Sequence, residues 1–121
     1  MDFLGIKDKW FFIAGVANKK SVAYFSAKTL MEAGANCIFS VQKPEQVEAV
    51  KKLFPQSPVI VCDVEKKEDI TKLAQLITPF TQTLDGFLHS LAFANFSEGL
   101  VPFHETKRED YLQAAQISCF S

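Results

Sequence analysis

The sequence predicts an α/β domain built on a doubly wound parallel sheet, and three observations carry that expectation. Short apolar runs alternate four times with segments of helical period, in the order β-α-β-α-β-α-β-α. Each run carries at or near its end a residue suited to a tight turn or a polar contact: Gly15, Gln42, Asp63 and Ser90. The chain of 121 residues is long enough for one core and too short for two. With 48% hydrophobic and 22% charged residues, disordered and fibrous classes are excluded.

The first strand is read in Trp10-Phe11-Phe12-Ile13-Ala14, a fully apolar run of the kind covered on both faces. Ser21 then opens a helix in which Ala23, Ala27 and Leu30 share a face and Gly34 supplies the stop. Cys37 to Val41 is the second strand. The helix after it takes Pro44 in its first turn, places Val47, Val50 and Phe54 on one side, and ends at Pro55 to Pro58. Val59 to Cys62 forms the third strand, and Ile70, Leu73, Ala74 and Ile77 mark a third helix that Pro79 ends or kinks. Gly86 to Leu91 is the fourth strand, Asn95 to His104 a long loop, and a fourth helix starts near Lys107. Right-handed crossovers give a doubly wound sheet of about four strands with flanking helices, and in an order 3-2-1-4 the fourth strand would be an uncovered edge.

Ligands on such sheets bind beyond the carboxyl ends of the strands. Gly15 permits a tight turn there, and the helix that follows turns its amides and its positive dipole end toward a pyrophosphate. Ser21 and Ala23 keep the approach close, although only one glycine is present where dinucleotide loops usually carry three. Gln42 stands where a carboxylate often holds a ribose. Its amide both donates and accepts, and Lys43 beside it attracts a 2′-phosphate, so NADH and NADPH both remain open. Asp63 reads either as an acceptor for an adenine amino group or as a local cap. Ser90, Leu91 and Ala92 are small or apolar residues at the switch point, and His89, inside an apolar run, reads as a structural histidine.

The 13 Lys plus Arg against 14 Asp plus Glu give no footprint for nucleic acid or an anionic membrane. The apolar stretch from Trp10 to Ala17 is too short to span a bilayer, and the first nine residues lack the order of a secretion signal. A cytoplasmic protein is expected. Cys37, Cys62 and Cys119 are expected as buried thiols, without a disulfide or a metal site.

The run Gly-Val-Ala-Asn-x-x-Ser-Val-Ala at 15–23, the strand end at Gln42, the triplet Cys62-Asp63-Val64 and the stretch Leu88-His89-Ser90-Leu91-Ala92-Phe93-Ala94 closely resemble bacterial and plastid-type enoyl-acyl-carrier-protein reductases. These belong to the short-chain dehydrogenase/reductase superfamily. The resemblance runs from Phe3-Leu4 to Ile117-Ser118. It implies a Rossmann-like fold in which Gly15, Ser21 and Val22 contact the pyrophosphate and nearby ribose, and Gln42 the adenosine side. Asp63 and Val64 flank adenine, and Ser90, Leu91 and Ala92 line the path to nicotinamide. Ala92 replaces a glycine common in some relatives, while Ala94, Asn95 and Phe96 border an acyl pocket.

The implied reaction reduces a trans-2-enoyl thioester on acyl carrier protein with NADH, or with NADPH, in type II fatty-acid synthesis. The implied assembly is a homo-oligomer, a tetramer at full length, in the cytoplasm or, for a plant-type source, the plastid stroma. The family's Tyr and Lys lie after a fifth strand, so residues 1–121 are expected to be a single partial dinucleotide-binding domain without a catalytic residue. Tyr24 and Lys28 match a YxxxK spacing, but on the first helix they read as a surface pair. Alone, the chain is expected to self-associate or to be marginally folded. The alternative is a non-catalytic nucleotide-binding module or remnant that pairs with a full-length subunit.

Overall fold

The structure is a computed structural model that describes residues 4–16, 19–91 and 102–120. The chain divides into two compact units, residues 1–90 and 91–121. In the first, β1 (Trp10–Ala14), β2 (Asn36–Val41), β3 (Val59–Val61) and β4 (Gly86–His89) form one parallel sheet in the order β3-β2-β1-β4. Phe12 pairs with Ile38 on one side and Phe87 on the other, which makes β1 a central strand. The expected order and the exposed place of β4 are both observed. Two strands are shorter than expected: β3 ends at Val61 and β4 at His89.

Between the strands run α1 (Val22–Glu32), α2 (Val47–Leu53) and α3 (Lys67–Ile77). Ser21 is the N-cap of α1, its hydroxyl accepting from the Tyr24 amide at 3.1 Å. Gly34 ends that helix with φ +94°, and Ala35 N donates to Leu30 O while Gly34 N donates to Met31 O. Those two bonds make a Schellman stop, which needs a residue free to enter the left-handed region. Ala23 and Ala27 are fully buried, so α1 lies close against β1 and β2.

The core is built around Phe39 and Ile13, both fully buried. Phe39 stacks on Phe54 with ring centroids 4.5 Å apart, while Val50, Val41 and Cys37 complete the cluster. Pro44 does not begin α2 directly. Pro44–Gln46 forms a short 3-10 turn, in which the Gln46 side chain accepts from the Lys43 amide at 2.9 Å, and α2 follows from Val47. On α3 the expected apolar face is present, yet Ile77 alone is buried and Ile70 is 44% exposed. Ile70, Leu73, Ala74 and Ile77 line an open groove with Leu84, so shared helical spacing marks a face without guaranteeing its cover.

The second unit holds a 3-10 turn at Phe103–Glu105, α4 (Arg108–Ala115) and a π-helical turn at Gln116–Phe120. Glu109 and Asp110 in the first turn of α4 complement its dipole. Most of the expected loop, 95–101, lies outside the described residues, as do Ala94, Asn95 and Phe96. Among the described residues no helix is long and apolar enough to cross a membrane.

Candidate functional site

The carboxyl ends of the four strands form one row, because parallel pairing keeps them in register. Neighbouring strands lie about 4.8 Å apart, so the row from β3 to β4 extends about 14 Å. Gly15 leaves β1 at φ +112°, a conformation that favours glycine and turns the chain sharply toward α1. Its helix presents a first turn free of acidic residues, preceded by the exposed Lys19 and Lys20. A negatively charged group above this turn therefore meets amides and a positive dipole end. Val22 is 72% exposed on the same turn.

Gln42 follows β2 with its side chain exposed, and Lys43 is exposed beside it. Ser90 continues the pairing of β4, its amide donating to Ala14 O at 2.9 Å, which fixes its backbone at the β1 end. Leu91 is half-buried, and Ala92 lies outside the described residues.

The most ordered part of the row is the turn after β3. Cys62 N donates to Val41 O at 2.8 Å, carrying the β2 pairing one residue past the strand. Asp63 then spends three of its four polar groups internally. Its N–H donates to Asp69 Oδ2 at 2.9 Å, its Oδ1 accepts from Glu65 N at 3.0 Å, and its carbonyl accepts from Lys66 N at 2.9 Å. Asp63 Oδ2 and the Val64 N–H are left without a partner among the described residues, an acceptor next to a donor. Both readings of Asp63 thus hold together: one oxygen caps the turn, and the other is available to a ligand. Asp69 escaped sequence reasoning, since its only trace there is an acid in the first turn of the third helix.

The chain matches the family model for enoyl-(acyl carrier protein) reductase over residues 15–121. It is 33% identical over 123 residues to the enoyl-[acyl-carrier-protein] reductase [NADPH] FabI of Staphylococcus aureus, covering 98% of this chain and 48% of that protein. The chain belongs to the enoyl-acyl-carrier-protein reductase family. To the enoyl-[acyl-carrier-protein] reductase [NADH] FabI of Enterococcus faecalis it is 34% identical over 117 residues, covering 96% of this chain and 47% of the relative. The crystal structure of FabI from Candidatus Liberibacter asiaticus superposes with a TM-score of 0.88 at 35% identity, over 94% of this chain and 45% of that one. The chain spans about half the length of the curated relatives it matches.

One of these two relatives is named for NADPH and the other for NADH; in this chain an uncharged Gln42 is followed by a cationic Lys43 at the end of β2. The YxxxK match at Tyr24 and Lys28 is structural. Tyr24 packs on Phe54 and Phe25, with ring centroids 5.4 and 5.3 Å away, so it belongs to the flank of the core more than to the surface. No group of three or more metal-ligating side chains occurs among the described residues.

The cysteines divide in a way the sequence did not foretell: Cys37 and Cys62 are buried as expected, but Cys119 is exposed. The π-helical turn at the end of α4 carries it outward. Burial lifts the Cys37 thiol to about 11, and Cys62 is raised by burial first and then by the carboxylates of Asp69 and Asp63. A thiol-alkylating reagent at neutral pH is expected to label Cys119 rapidly and the other two only on unfolding, as counted by intact mass. Because the Cys37 thiol holds its proton more tightly folded than unfolded, the stability it confers is complete below pH 9. It is lost as pH rises through about 11, Cys62 acting in the same direction, and thermal melts across that interval read the decline.

Proposed function

We propose that residues 1–121 are the N-terminal cofactor-binding part of an enoyl-acyl-carrier-protein reductase acting on trans-2-enoyl thioesters in the cytoplasm. Its cofactor is NADH, with NADPH the competitor to be tested. The observation that carries the reading is the pair at the β3 end that has no partner among the described residues. Adenine offers an amino donor beside the acceptor N1, and Asp63 Oδ2 with the Val64 N–H offers the complementary order. Further along the row, the amides opening α1, with Ser21 and Val22 among its first residues, face the pyrophosphate, and the turn at Gly15 lets the phosphates approach the backbone. Gln42 receives the ribose hydroxyls. Ser90, Leu91 and Ala92 border the nicotinamide, which when bound supplies the hydride for the reduction. These residues bind and orient, and none of the chain's own side chains is assigned the proton transfer.

In this reading the remaining half of the site, the acyl-carrier-protein contacts and the homotetramer come from chain beyond residue 121. The test is calorimetric titration of the protein with NADH and NADPH, with a crotonyl thioester assay alongside. Saturable binding of NADH without turnover by residues 1–121 is the expected result. Failure of both nucleotides to bind ends the cofactor reading, and turnover by these residues alone ends the partial-site reading.

A second reading, a non-catalytic module that pairs with a full-length subunit, draws on the flank of β4. There Phe11, Ile13, Phe25, Leu30, Gly86 and Leu88 line an apolar groove of about 520 Å³. Mixing the chain with intact reductase and measuring mass by light scattering separates the two, because the module reading requires a mixed oligomer.

A further inference from the structure

We infer that Asp69 is a positioning residue that holds the β3 turn in the one arrangement able to tell a 6-amino purine from a 6-oxo purine. The inference rests on the reading of this row as a dinucleotide site. Asp69 touches no part of the proposed ligand position through its bonded oxygen: Oδ2 is spent on the Asp63 amide at 2.9 Å. That bond closes a chain of fixed groups. Cys62 is tied to Val41 of β2, Asp63 to Asp69, Glu65 to Asp63, and Lys66 back to the Asp63 carbonyl. Asp69 itself sits on the first turn of α3, where its own amide donates to Lys66 O at 3.1 Å. The turn is thus held from the strand side and the helix side at once.

The orientation of the peptide between Asp63 and Val64 decides which polar group faces outward. As built, the Val64 N–H is available and the Asp63 carbonyl is engaged with Lys66. A rotation of that peptide would exchange donor for carbonyl acceptor; the Lys66 N–H on the Asp63 carbonyl opposes it directly, and Asp69, by holding the Asp63 N–H, fixes the preceding peptide so that the turn cannot relax around the change. Adenine reads correctly against the fixed order, donor to carboxylate and N1 to amide. Hypoxanthine presents the inverse, a carbonyl at C6 and an N–H at N1, so both contacts become repulsive or empty. A loosened turn adapts to either base. A rigid one does not.

The test compares NADH with reduced nicotinamide hypoxanthine dinucleotide, by calorimetric titration of the wild-type protein and the variants D69A and D69N. Wild type is expected to prefer NADH by at least about tenfold. D69A is expected to bind NADH about tenfold more weakly while its affinity for the hypoxanthine nucleotide changes less than about twofold, which erases most of the preference. D69N keeps an oxygen that accepts from the Asp63 amide and is expected to retain both affinities within about twofold. Equal loss for the two nucleotides in D69A, or a D69N as weak as D69A, overturns the role of Asp69. If D69A does not fold, the wild-type preference and D69N still decide: no preference in wild type, or a lost preference in D69N, overturns the proposal. A wild-type protein that binds neither nucleotide defeats the dinucleotide reading itself, an outcome distinct from binding without discrimination.

Discussion

Phe39→Ala is expected to cost about 3–5 kcal/mol and to lower the urea midpoint by a third or more of a typical domain's range. Phe39 is fully buried at the middle of β2, and its ring lies stacked on Phe54. Truncation removes that ring from a neighbourhood closed by Ile13 and Val41, which cannot shift far without disturbing the sheet, and by Val50 of α2. Phe54 then faces a void on its stacked side. Phe39→Leu fills most of the space and is expected to cost less than half as much. Equilibrium denaturation of the two variants checks both the size and the order.

Gly86→Val is the second large effect, expected at about 1–3 kcal/mol. Gly86 pairs with Phe11 across β1 and β4, and a Cβ there would stand 2.5 Å from Phe11 Cδ1 and 2.6 Å from Cε1. The ring must swing into the groove or the two strands must part. Combining Gly86→Val with Phe11→Ala distinguishes this steric cause from general loss of strand order. If the clash dominates, the double variant is more stable than the sum of the single effects predicts.

Much of this was legible in the sequence, and the reasons differ by element. β1 showed itself because five consecutive apolar residues ended on a glycine with room to turn, and α1 because Ser21 and Gly34 mark its two ends by opposite physical needs. The doubly wound sheet followed from the alternation of strands and helices, whereas the 3-2-1-4 order came with the resemblance, because crossover handedness alone leaves strand order open. The limits of β3 and β4 did not, because a strand stops where its neighbour's pairing stops, and no local residue records that. At the site, Asp63 and Val64 were visible as a pair at a strand end. Asp69 was not, since its bond depends on the turn between them folding back across six residues. The exposure of Cys119 was equally hidden, arising from a π-helical turn that its small and apolar neighbours do not signal.

The sheet's order also has a kinetic consequence. Trp10 meets Asn36 across β1 and β2, whereas Phe11 meets Gly86 across β1 and β4, a loop about three times as long and about 1 kcal/mol dearer in chain entropy to close. Strands β1 to β3 are therefore expected to assemble first, with β4 docking as a later step of a non-local folding reaction. In amide exchange the same ranking is expected in reverse: Phe87 and Leu88 opening by sub-global unfolding while Ile38 and Phe39 exchange only when the whole domain does.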